Sequence, residues 1–311
     1  MIRTRLSLVC SLVLAACNSR STVPASAPPP VPPMQASAAT PSATPAPAPM
    51  PAANSGESTP RACGDFNCQE FASAELAFAQ VLAEEPRILA IGEAHAQKGS
   101  EGVASTARRF GERLLPKLAG RATDIVIELL LANGRCGAKV EQKVAEQQRP
   151  VTQNQAASDQ NEFVELGHRA KAQGTAPHAL TPTCAEYTAV TTAGDDGVDR
   201  MLTTVAEVSA RTLEALLVQR APNALLLAYG GALHNDVSPR AGREKWSFGP
   251  RLLERTAGRY VELDLIVPEY VKDTESWRAF PWYSAYTQLK GSHGALLYVV
   301  APHSFVLIFP R

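Results

Sequence analysis

The sequence lacks several features that would fix a class of function. Its 30 lysines and arginines balance 30 aspartates and glutamates, and the part after Arg61 carries 26 basic against 29 acidic residues. That balance gives no support for nucleic-acid binding, which needs a basic face. No internal repeat is visible. The apolar stretch 295–309 is interrupted by Pro302, His303 and Ser304, which favours a hairpin over a membrane span.

Charge is almost absent from the stretch that precedes the foldable part. From Pro24 to Pro60 the chain contains twelve of its 24 prolines and one charged residue, Glu57. Such a segment has too few large apolar side chains to offset the entropy lost on ordering. We therefore expect residues 17–61 to be a disordered tether and residues 62–311 to form one domain of the α/β class.

The first residues have the layout of an export signal. Two arginines among the first five residues precede an apolar run, residues 6–14, that is too short to span a bilayer. Residues 14–17, Leu-Ala-Ala-Cys, resemble the bacterial lipobox. The resemblance implies a signal peptide over residues 1–16 and lipid attached to Cys17. An ordinary signal peptide followed by a chance cysteine is the alternative.

The lipobox resemblance also implies a location. Several acyl chains on Cys17 would anchor the protein durably in membrane lipid, so we expect it in the bacterial cell envelope. Asn18 follows the lipid site, where an aspartate retains many lipoproteins at the inner membrane, and this favours the outer membrane. A Pro-rich tether extends by about 3 Å per residue and would let the domain stand off from the bilayer.

Four cysteines remain once the signal peptide and Cys17 are set aside. An oxidising envelope and an even number of cysteines favour two disulfides. Three connectivities are possible, and we favour Cys63–Cys68, which closes a tight loop, together with Cys136–Cys184. Zinc at Cys63 and Cys68 is the alternative, but four intervening residues without a matching second pair are weak zinc spacing.

Short apolar runs suited to buried strands alternate with stretches of helical periodicity. The predicted strands cover residues 87–92, 124–130, 179–181, 223–229, 259–267, 295–300 and 304–309. The predicted helices cover residues 70–84, 99–118, 138–147, 160–172, 198–219 and 250–256. The alternation predicts a mostly parallel sheet with helices on both faces and a C-terminal antiparallel hairpin.

Ionisable residues occur at three strand ends that a parallel sheet would bring to one edge, where ligands bind. Glu93 and His95 follow the first strand, Glu128 lies in the second, and His234 follows the third. Both histidines end a Gly-x-x-His pattern, and glycines let a substrate approach closely. Glu128 is the most informative, because a charge within Ile-Val-Ile-Glu-Leu-Leu is costly to bury unless it is paired or coordinated.

These four residues are candidates for two kinds of catalysis. His95, His234 and Glu128 could ligate a divalent metal that activates water. Without a metal, a His–Glu pair can act as a general base, and Glu93 belongs to the same set. Ordinary structural roles stay open: Glu93 as a helix cap, Glu128 paired with a buried arginine, and both histidines in loops.

Aromatic residues offer weaker candidates. Tyr229, at the end of the third strand, is a further candidate to donate a proton or ligate iron. A packed tyrosine at a strand end is the favoured interpretation. An aromatic-rich, loop-rich stretch contains Trp246, Trp277, Trp282, Tyr283 and Tyr286. These side chains could form a wall of a hydrophobic pocket or part of the core, and we favour the core or a lid.

Three short blocks resemble one superfamily. Residues 88–95, Ile-Leu-Ala-Ile-Gly-Glu-Ala-His, are the first block, and residues 124–128, Asp-Ile-Val-Ile-Glu, are the second. Residues 225–234, Leu-Leu-Leu-Ala-Tyr-Gly-Gly-Ala-Leu-His, are the third. Together they are similar to the Tiki/TraB, ChaN-like and erythromycin esterase superfamily over about residues 71–267. Residues 151–192 match nothing in it, and we expect them to shape the pocket.

The branches of this superfamily imply different activities. Resemblance to the membrane-tethered Tiki metalloproteases implies His95 and His234 as metal ligands, with Glu128 as a ligand or base. Resemblance to the erythromycin esterases implies hydrolysis of a cyclic ester, with Glu93 and His95 activating water. Resemblance to the ChaN-like lipoproteins implies haem binding linked to iron uptake.

Three hypotheses follow for the function. The leading one is a membrane-anchored envelope hydrolase that cleaves an ester or amide in a small molecule or peptide, with a divalent metal as the expected cofactor. The second is a haem- or iron-binding lipoprotein. The third is a non-catalytic envelope domain, because a fold does not fix a function.

Overall fold

The computed structural model describes residues 59–130, 136–152, 155–156 and 159–311. The predicted signal peptide, Cys17 and the tether up to residue 58 lie outside the described residues. Contacts along the chain separate Met1–Asn54 from Ser55–Arg311, and every described residue belongs to the second unit. Within the described ranges, no helix is both long and apolar enough to cross a membrane.

A nine-stranded sheet lies at the centre of this unit. Its strands are β1 (Arg61–Ala62), β2 (Cys68–Phe71), β3 (Ile88–Glu93), β4 (Ala122–Leu130), β5 (Ala176–Leu180), β6 (Leu225–Gly231), β7 (Tyr260–Ile266), β8 (Ala295–Ala301) and β9 (Ser304–Ile308). Their spatial order is β1-β2-β8-β9-β7-β3-β6-β4-β5. The pairs from β9–β7 to β4–β5 are parallel, and β8–β9 is an antiparallel hairpin. The predicted fold class is therefore confirmed.

Helices connect the strands and surround the sheet. They are α1 (Ala74–Leu82), α2 (Thr106–Arg109), α3 (Ala138–Thr152), α4 (Asp159–Ala172), α5 (Cys184–Thr192), α6 (Gly197–Gln219), α7 (Gly249–Arg255), α8 (Glu275–Arg278) and α9 (Tyr283–Gln288). After α2 the chain continues through a π-helical turn, Phe110–Leu114, and a 3₁₀ turn, Leu115–Leu118.

Two predicted helices start later than their composition suggests. Residues 70 and 71 belong to β2, because they pair with β8, more than 200 residues away in the chain. Helix α1 then begins after Ser73, whose hydroxyl accepts a hydrogen bond from the backbone N–H of Leu76. Similarly, α2 begins only after Ser105, which caps the N–H of Arg108. Caps and distant pairing, rather than helix propensity, therefore set both starts.

Both faces of the sheet are covered, because alternate residues of each strand enter different cores. In β3, Leu89 and Ile91 belong to the larger hydrophobic cluster, which includes Phe78 and Phe110. Ile88 and Ala90 belong to a second cluster on the opposite face, which is built largely on α6. The central strands are thus buried on both sides, as expected for parallel strands between helices.

Two disulfides join the four cysteines in the connectivity favoured from the sequence. Cys63 pairs with Cys68 across the turn between β1 and β2, with 5.4 Å between their Cα atoms. Cys136 pairs with Cys184, the first residue of α5, with 5.2 Å between their Cα atoms. The second disulfide links the residues just before α3 to the start of α5.

Candidate functional site

Three adjacent parallel strands bring the predicted residues to one edge of the sheet. Strands β3, β6 and β4 are neighbours in that order. Glu93 is the last residue of β3, Glu128 lies near the end of β4, and Gly231 ends β6 just before His234. All four predicted residues, Glu93, His95, Glu128 and His234, line one cavity of about 500 Å³. Carboxyl ends of parallel strands are where open α/β sheets bind ligands.

Glu93 and His95 form a hydrogen-bonded pair. Nδ1 of His95 lies 2.9 Å from Oε1 of Glu93. The Glu93 side chain is almost completely buried, whereas 22% of the His95 side chain is exposed. The other carboxylate oxygen of Glu93 accepts a short hydrogen bond from the hydroxyl of Tyr229. Because an ionised carboxylate only accepts, Nδ1 of His95 carries the proton of this bond, and Nε2 is the nitrogen able to act as a base.

Aromatic packing holds this pair in place. The ring of Tyr229 lies 5.1 Å from the ring of Phe110 and meets Phe163 edge to face at 5.6 Å. Phe163 also contacts the imidazole of His95, with 5.7 Å between ring centroids. Tyr229 is buried and its hydroxyl is engaged by Glu93, so the packed strand-end interpretation describes it. Its predicted role as a cofactor ligand stays a prediction.

Glu128 stands where the pairing of β4 with β6 ends. The last paired residues of the two strands are Ile127 and Tyr229. One residue further on, Oε2 of Glu128 accepts a hydrogen bond of 2.6 Å from the backbone N–H of Gly231. The Glu128 carboxylate thus accepts the hydrogen bond that a backbone carbonyl would accept in a regular sheet. This bond explains how its charge is accommodated in an apolar strand. No arginine partner, the alternative considered above, is needed.

Two consecutive glycines in β6 make room for the site. A Cβ at Gly230 would collide with the carboxylate of Glu128, and a Cβ at Gly231 would lie 3.0 Å from Nε2 of His95. Real Cβ atoms almost never approach as closely as the contact at Gly230, whereas the contact at Gly231 would make the imidazole give by a few tenths of an ångström. The close approach of side chains, rather than a positive φ, therefore favours glycine at both positions.

His234 faces Glu128 from the loop after β6. Its Nδ1 lies 2.7 Å from the backbone carbonyl of Trp246, which can only accept, so Nδ1 is protonated. Its Nε2 lies 3.6 Å from Oε1 of Glu128, too far for a direct hydrogen bond but close enough for charge pairing. The ring is almost completely buried, with 6% of the side chain exposed.

The rest of the cavity is largely apolar. Its walls include Phe163 and three side chains of α6, Met201, Leu202 and Val205. Trp277 and Phe280 contribute from the aromatic-rich stretch, and other members of that stretch, including Trp282 and Tyr286, pack in a separate core with Cys63 and Cys68. The stretch therefore serves both as core and as a wall of the cavity. Residues 152 and 155, from the segment expected to shape the pocket, also line it.

The predicted metal set was tested against the donor geometry. Within the ranges that the structure describes, no group of three or more His, Cys, Asp or Glu side chains could hold a metal ion. Nε2 of His234 and Oε1 of Glu128, 3.6 Å apart, are a pair of potential donors rather than a group of three. A catalytic zinc site typically has three protein ligands. The side chains present do not fit such a site, and no step below passes through a metal.

Sequence reasoning missed a group of polar residues behind His234. Asn235 is buried directly after the histidine, Tyr260 and Glu262 are buried in β7, and Asp264 is partly buried in the same strand. Burial raises the pKa of both carboxyls well above their ordinary value, and mutual repulsion among Asp264, Glu262 and Asp236 adds to the rise. The sequence contains a signal for this group. Two carboxylates in the run Tyr-Val-Glu-Leu-Asp-Leu are as unusual in a buried strand as Glu128 is in β4.

Comparisons with known proteins add little to this geometry. No protein-family model matches the sequence, and no curated protein is significantly similar to it. One similar solved structure is a mutant of the erythromycin esterase EreC in its open conformation, with 10% identity, a TM-score of 0.41, and coverage of 74% of this chain and 92% of that one. Another is the type III effector HopBA1, with 11% identity, a TM-score of 0.38, and coverage of 75% and 92%.

Both likenesses concern the overall fold and are too distant to carry an argument about activity. One of the two structures is an erythromycin esterase, a branch named in the sequence resemblance. The resemblance to Tiki/TraB and ChaN-like proteins stays a prediction. The functional conclusion below therefore rests on the side-chain geometry alone.

Proposed function

We propose that this protein is a hydrolase of ester or amide bonds in which His95, oriented by Glu93, activates water. The observation that carries the proposal is the chain of hydrogen bonds from Tyr229 through Glu93 to Nδ1 of His95, at the wall of a 500 Å³ cavity. A buried carboxylate that holds one nitrogen of an imidazole prepares the other nitrogen to accept a proton.

The first chemical step uses that second nitrogen. Nε2 of His95 accepts a proton from water while the water oxygen forms a bond to the carbonyl carbon. The carbonyl electron pair moves to its oxygen, giving a tetrahedral intermediate. Glu93 stabilises the imidazolium that forms, and Tyr229 keeps Glu93 in place by holding its second oxygen.

The second step needs a proton for the leaving group, and His234 is placed to supply it. With Nδ1 donating to the carbonyl of Trp246, Nε2 is the nitrogen that points toward Glu128 and the cavity. When protonated, Nε2 donates to the leaving oxygen or nitrogen as its bond to the carbonyl carbon breaks. Glu128, 3.6 Å away, stabilises the charged imidazole before the transfer. Afterwards His95 releases its proton to solvent, and His234 takes up a proton from solvent.

The chemistry of the cavity indicates the general kind of substrate. Its described charged residues are the two carboxylates, Glu93 and Glu128, and the remaining walls are mostly apolar. Such a site suits an uncharged substrate with an apolar group of small-molecule size, or an apolar segment of a peptide.

The membrane anchor is a second part of the proposal. The lipobox resemblance at residues 14–17 is its main support, and two disulfides are compatible with an oxidising compartment. We propose an envelope protein anchored to membrane lipid through Cys17, with the outer membrane favoured. Mass spectrometry of the N-terminal peptide should find acyl chains on Cys17, and Cys17→Ser should move the protein from the membrane to the soluble fraction. An unmodified Cys17 would contradict the anchor.

The hydrolase proposal is tested with the full-length protein on a panel of uncharged aryl and alkyl esters and short apolar peptides. The wild type should hydrolyse at least one class. His95→Asn should reduce kcat on that substrate by a factor on the order of 10²–10⁴, the range for a positioned general base. Equal turnover by the wild type and His95→Asn would overturn the mechanism. Absence of turnover across the panel would favour the non-catalytic hypothesis.

The same preparation tests the two cofactor hypotheses. Loss of turnover on chelation, restored by one divalent ion, would support the metal-assisted version and contradict the metal-free mechanism. A Soret shift on titration with haemin would support the haem-binding alternative. The mechanism above predicts that turnover persists in a chelator.

A further inference from the structure

Strand β7 turns a row of polar side chains toward the loop that carries His234. Successive side chains of a strand point to opposite faces. Val261, Leu263 and Leu265 enter the larger hydrophobic cluster on one face, whereas Tyr260 belongs to the core on the other face. Glu262 and Asp264 alternate with the apolar residues in the same way, so they share the face of Tyr260. We call Tyr260, Glu262 and Asp264 the β7 latch.

Each member of the β7 latch binds the chain immediately after His234. The hydroxyl of Tyr260 donates to the backbone carbonyl of Asn235 at 2.5 Å. Oδ1 of Asp264 accepts from the side-chain amide of Asn235 at 3.2 Å. Oε2 of Glu262 accepts from the backbone N–H of Val237 at 2.7 Å. Three neighbouring side chains therefore hold two positions of one short loop.

The arrangement is closely packed and shielded from water. The side-chain amide of Asn235 also donates to the carbonyl of Ala90 in β3, at 3.3 Å. A Cβ at Gly92 would collide with Asp264 and lie 2.7 Å from Nδ2 of Asn235 and 2.8 Å from Cα of Ala232. Glycine at this position is thus required for the latch to close against β3. Hydrogen bonds in such a dry environment are stronger than in water.

The far side of the loop is held as well. The hydroxyl of Ser247 donates to the carbonyl of His234 at 3.1 Å and to that of Asp236 at 2.6 Å. The backbone N–H of Phe248 also donates to the carbonyl of His234, at 2.9 Å. The imidazole itself donates to the carbonyl of Trp246. The backbone of His234 is therefore fixed from one side by residues 246–248 and from the other by the β7 latch.

We propose that Tyr260, Glu262 and Asp264 are positioning residues that hold His234 in register with Glu128. None of the three lines the cavity, so they act through Asn235 and Val237 rather than by touching a substrate. Burying two carboxyls is costly, and apolar residues would pack at these positions without that cost. The structural claim is independent of the reaction, while its catalytic consequence rests on the proposed hydrolase function.

The experiment compares conservative with disruptive variants of the latch. Glu262→Gln and Asp264→Asn retain an oxygen that accepts the same hydrogen bond, whereas Glu262→Leu and Asp264→Leu remove it. Tyr260→Phe removes only a hydroxyl and keeps the ring. It therefore tests whether the β7 latch positions His234 even if a leucine variant does not fold. Val261→Ala is the matched control, because it weakens packing in the same strand on the opposite face.

The main readout is the NMR signal of the His234 imidazole in histidine-labelled protein, assigned with His234→Asn. Amide exchange at Val237 is the second. Tyr260→Phe and the folded leucine variants should shift the His234 signals. Glu262→Leu should also speed amide exchange at Val237 by about tenfold or more. Glu262→Gln, Asp264→Asn and Val261→Ala should stay close to wild type. Unchanged His234 signals in Tyr260→Phe and in the folded leucine variants would overturn the proposal.

Turnover then separates this proposal from the function it deepens. With a hydrolysed substrate in hand, the disruptive variants should lose kcat by a factor on the order of 10–100 while KM changes little, because a displaced proton donor affects the transition state more than binding. If no substrate is hydrolysed, the hydrolase proposal fails while the NMR result still decides the latch. If the NMR signals do not move although wild-type hydrolysis depends on His95, the latch fails and the hydrolase proposal stands.

Discussion

Nδ1 of His95 lies 2.9 Å from a buried carboxylate oxygen of Glu93, whose second oxygen is held by Tyr229. This relationship distinguishes the site from an ordinary loop histidine. The carboxylate is almost completely buried, and the histidine and the tyrosine each hold one of its oxygens. A site built for structure alone would not need to keep the far side of the imidazole at the wall of a large cavity.

Removing the tyrosine hydroxyl should reduce catalysis without abolishing it. Tyr229→Phe leaves one oxygen of Glu93 without its donor but keeps the ring that packs against Phe110 and Phe163. A hydrogen bond to a charged group contributes about 1.5–3 kcal/mol, so kcat should fall by roughly 10- to 100-fold. Tyr286→Phe is the control for steady-state kinetics, because it loses a hydroxyl bond to the carbonyl of Pro268 and does not line the cavity.

A single methyl group at residue 231 should disturb the site while removing no functional group. The new Cβ of Gly231→Ala would lie 3.0 Å from Nε2 of His95, so the imidazole must shift by a few tenths of an ångström. The variant should lower kcat, but by less than the roughly 100-fold that a 1 Å misplacement can cost. Gly102→Ala is the matched control, since nothing lies within 4 Å of its Cβ. Equal kcat for the wild type and Gly231→Ala would show that His95 is not positioned as described.

The buried carboxyls of β7 should make the protein less stable as the pH rises. Burial raises the pKa of Glu262 and Asp264 in the folded state, so the folded protein holds protons that the unfolded chain releases above about pH 4. The free energy of unfolding should therefore decrease with rising pH until the folded-state pKa values are passed, by at most about 1.4 kcal/mol per pH unit for each proton.

Urea denaturation at a series of pH values measures this slope. Glu262→Gln cannot ionise, so its slope above pH 5 should be shallower than that of the wild type. Glu207→Gln, an exposed glutamate on α6, is the control and should reproduce the wild-type slope. A wild-type stability that rises with pH over this range would contradict the assignment.

Asp124 should contribute stability of the opposite pH dependence. Its buried carboxylate accepts two hydrogen bonds from Arg220 and one from His178. Burial alone would raise its pKa, but these bonds outweigh burial and lower the pKa to about 2. The stability it contributes is present above the unfolded-state pKa of about 3.9 and is lost as the pH falls toward 2.

Substitution at Asp124 tests this at neutral pH. Asp124→Asn should lower the free energy of unfolding by about 2–4 kcal/mol, because it leaves a charged arginine beside a buried site, although that arginine is partly exposed. Glu214→Gln breaks a surface pair with Arg251 and should cost less than about 1 kcal/mol. Asp124 lies at the start of β4, away from Glu128, so turnover per folded molecule should not change.

Much of the framework followed from local patterns in the sequence. Short apolar runs predicted β3, β4 and β6. In a parallel sheet, polar residues at the carboxyl ends of such strands lie at one edge. Because these three strands turn out to be neighbours, Glu93, His95, Glu128 and His234 reach one cavity. The disulfide pairing followed from loop length and position in the same way.

Other features depended on contacts between distant parts of the chain. Residues 70 and 71 read as the start of a helix but belong to a strand because β8 lies beside them. The carbonyl of Trp246 and the side chains of β7 hold the loop after β6, and neither partner is adjacent to that loop in the sequence. The partners of the two imidazoles were not predictable either, because Nδ1 of His95 pairs with Glu93 and Nδ1 of His234 pairs with the backbone carbonyl of Trp246.

The most direct test of the central claim is a double-mutant cycle on Glu93 and His95, measured as kcat/KM on the best substrate. If the two residues act as one water-activating pair, Glu93→Gln and His95→Asn should each lower kcat/KM by a factor on the order of 10²–10⁴. The double variant should then be no slower than the worse single variant. Single effects that multiply in the double variant, or wild-type activity in either single variant, would contradict the account.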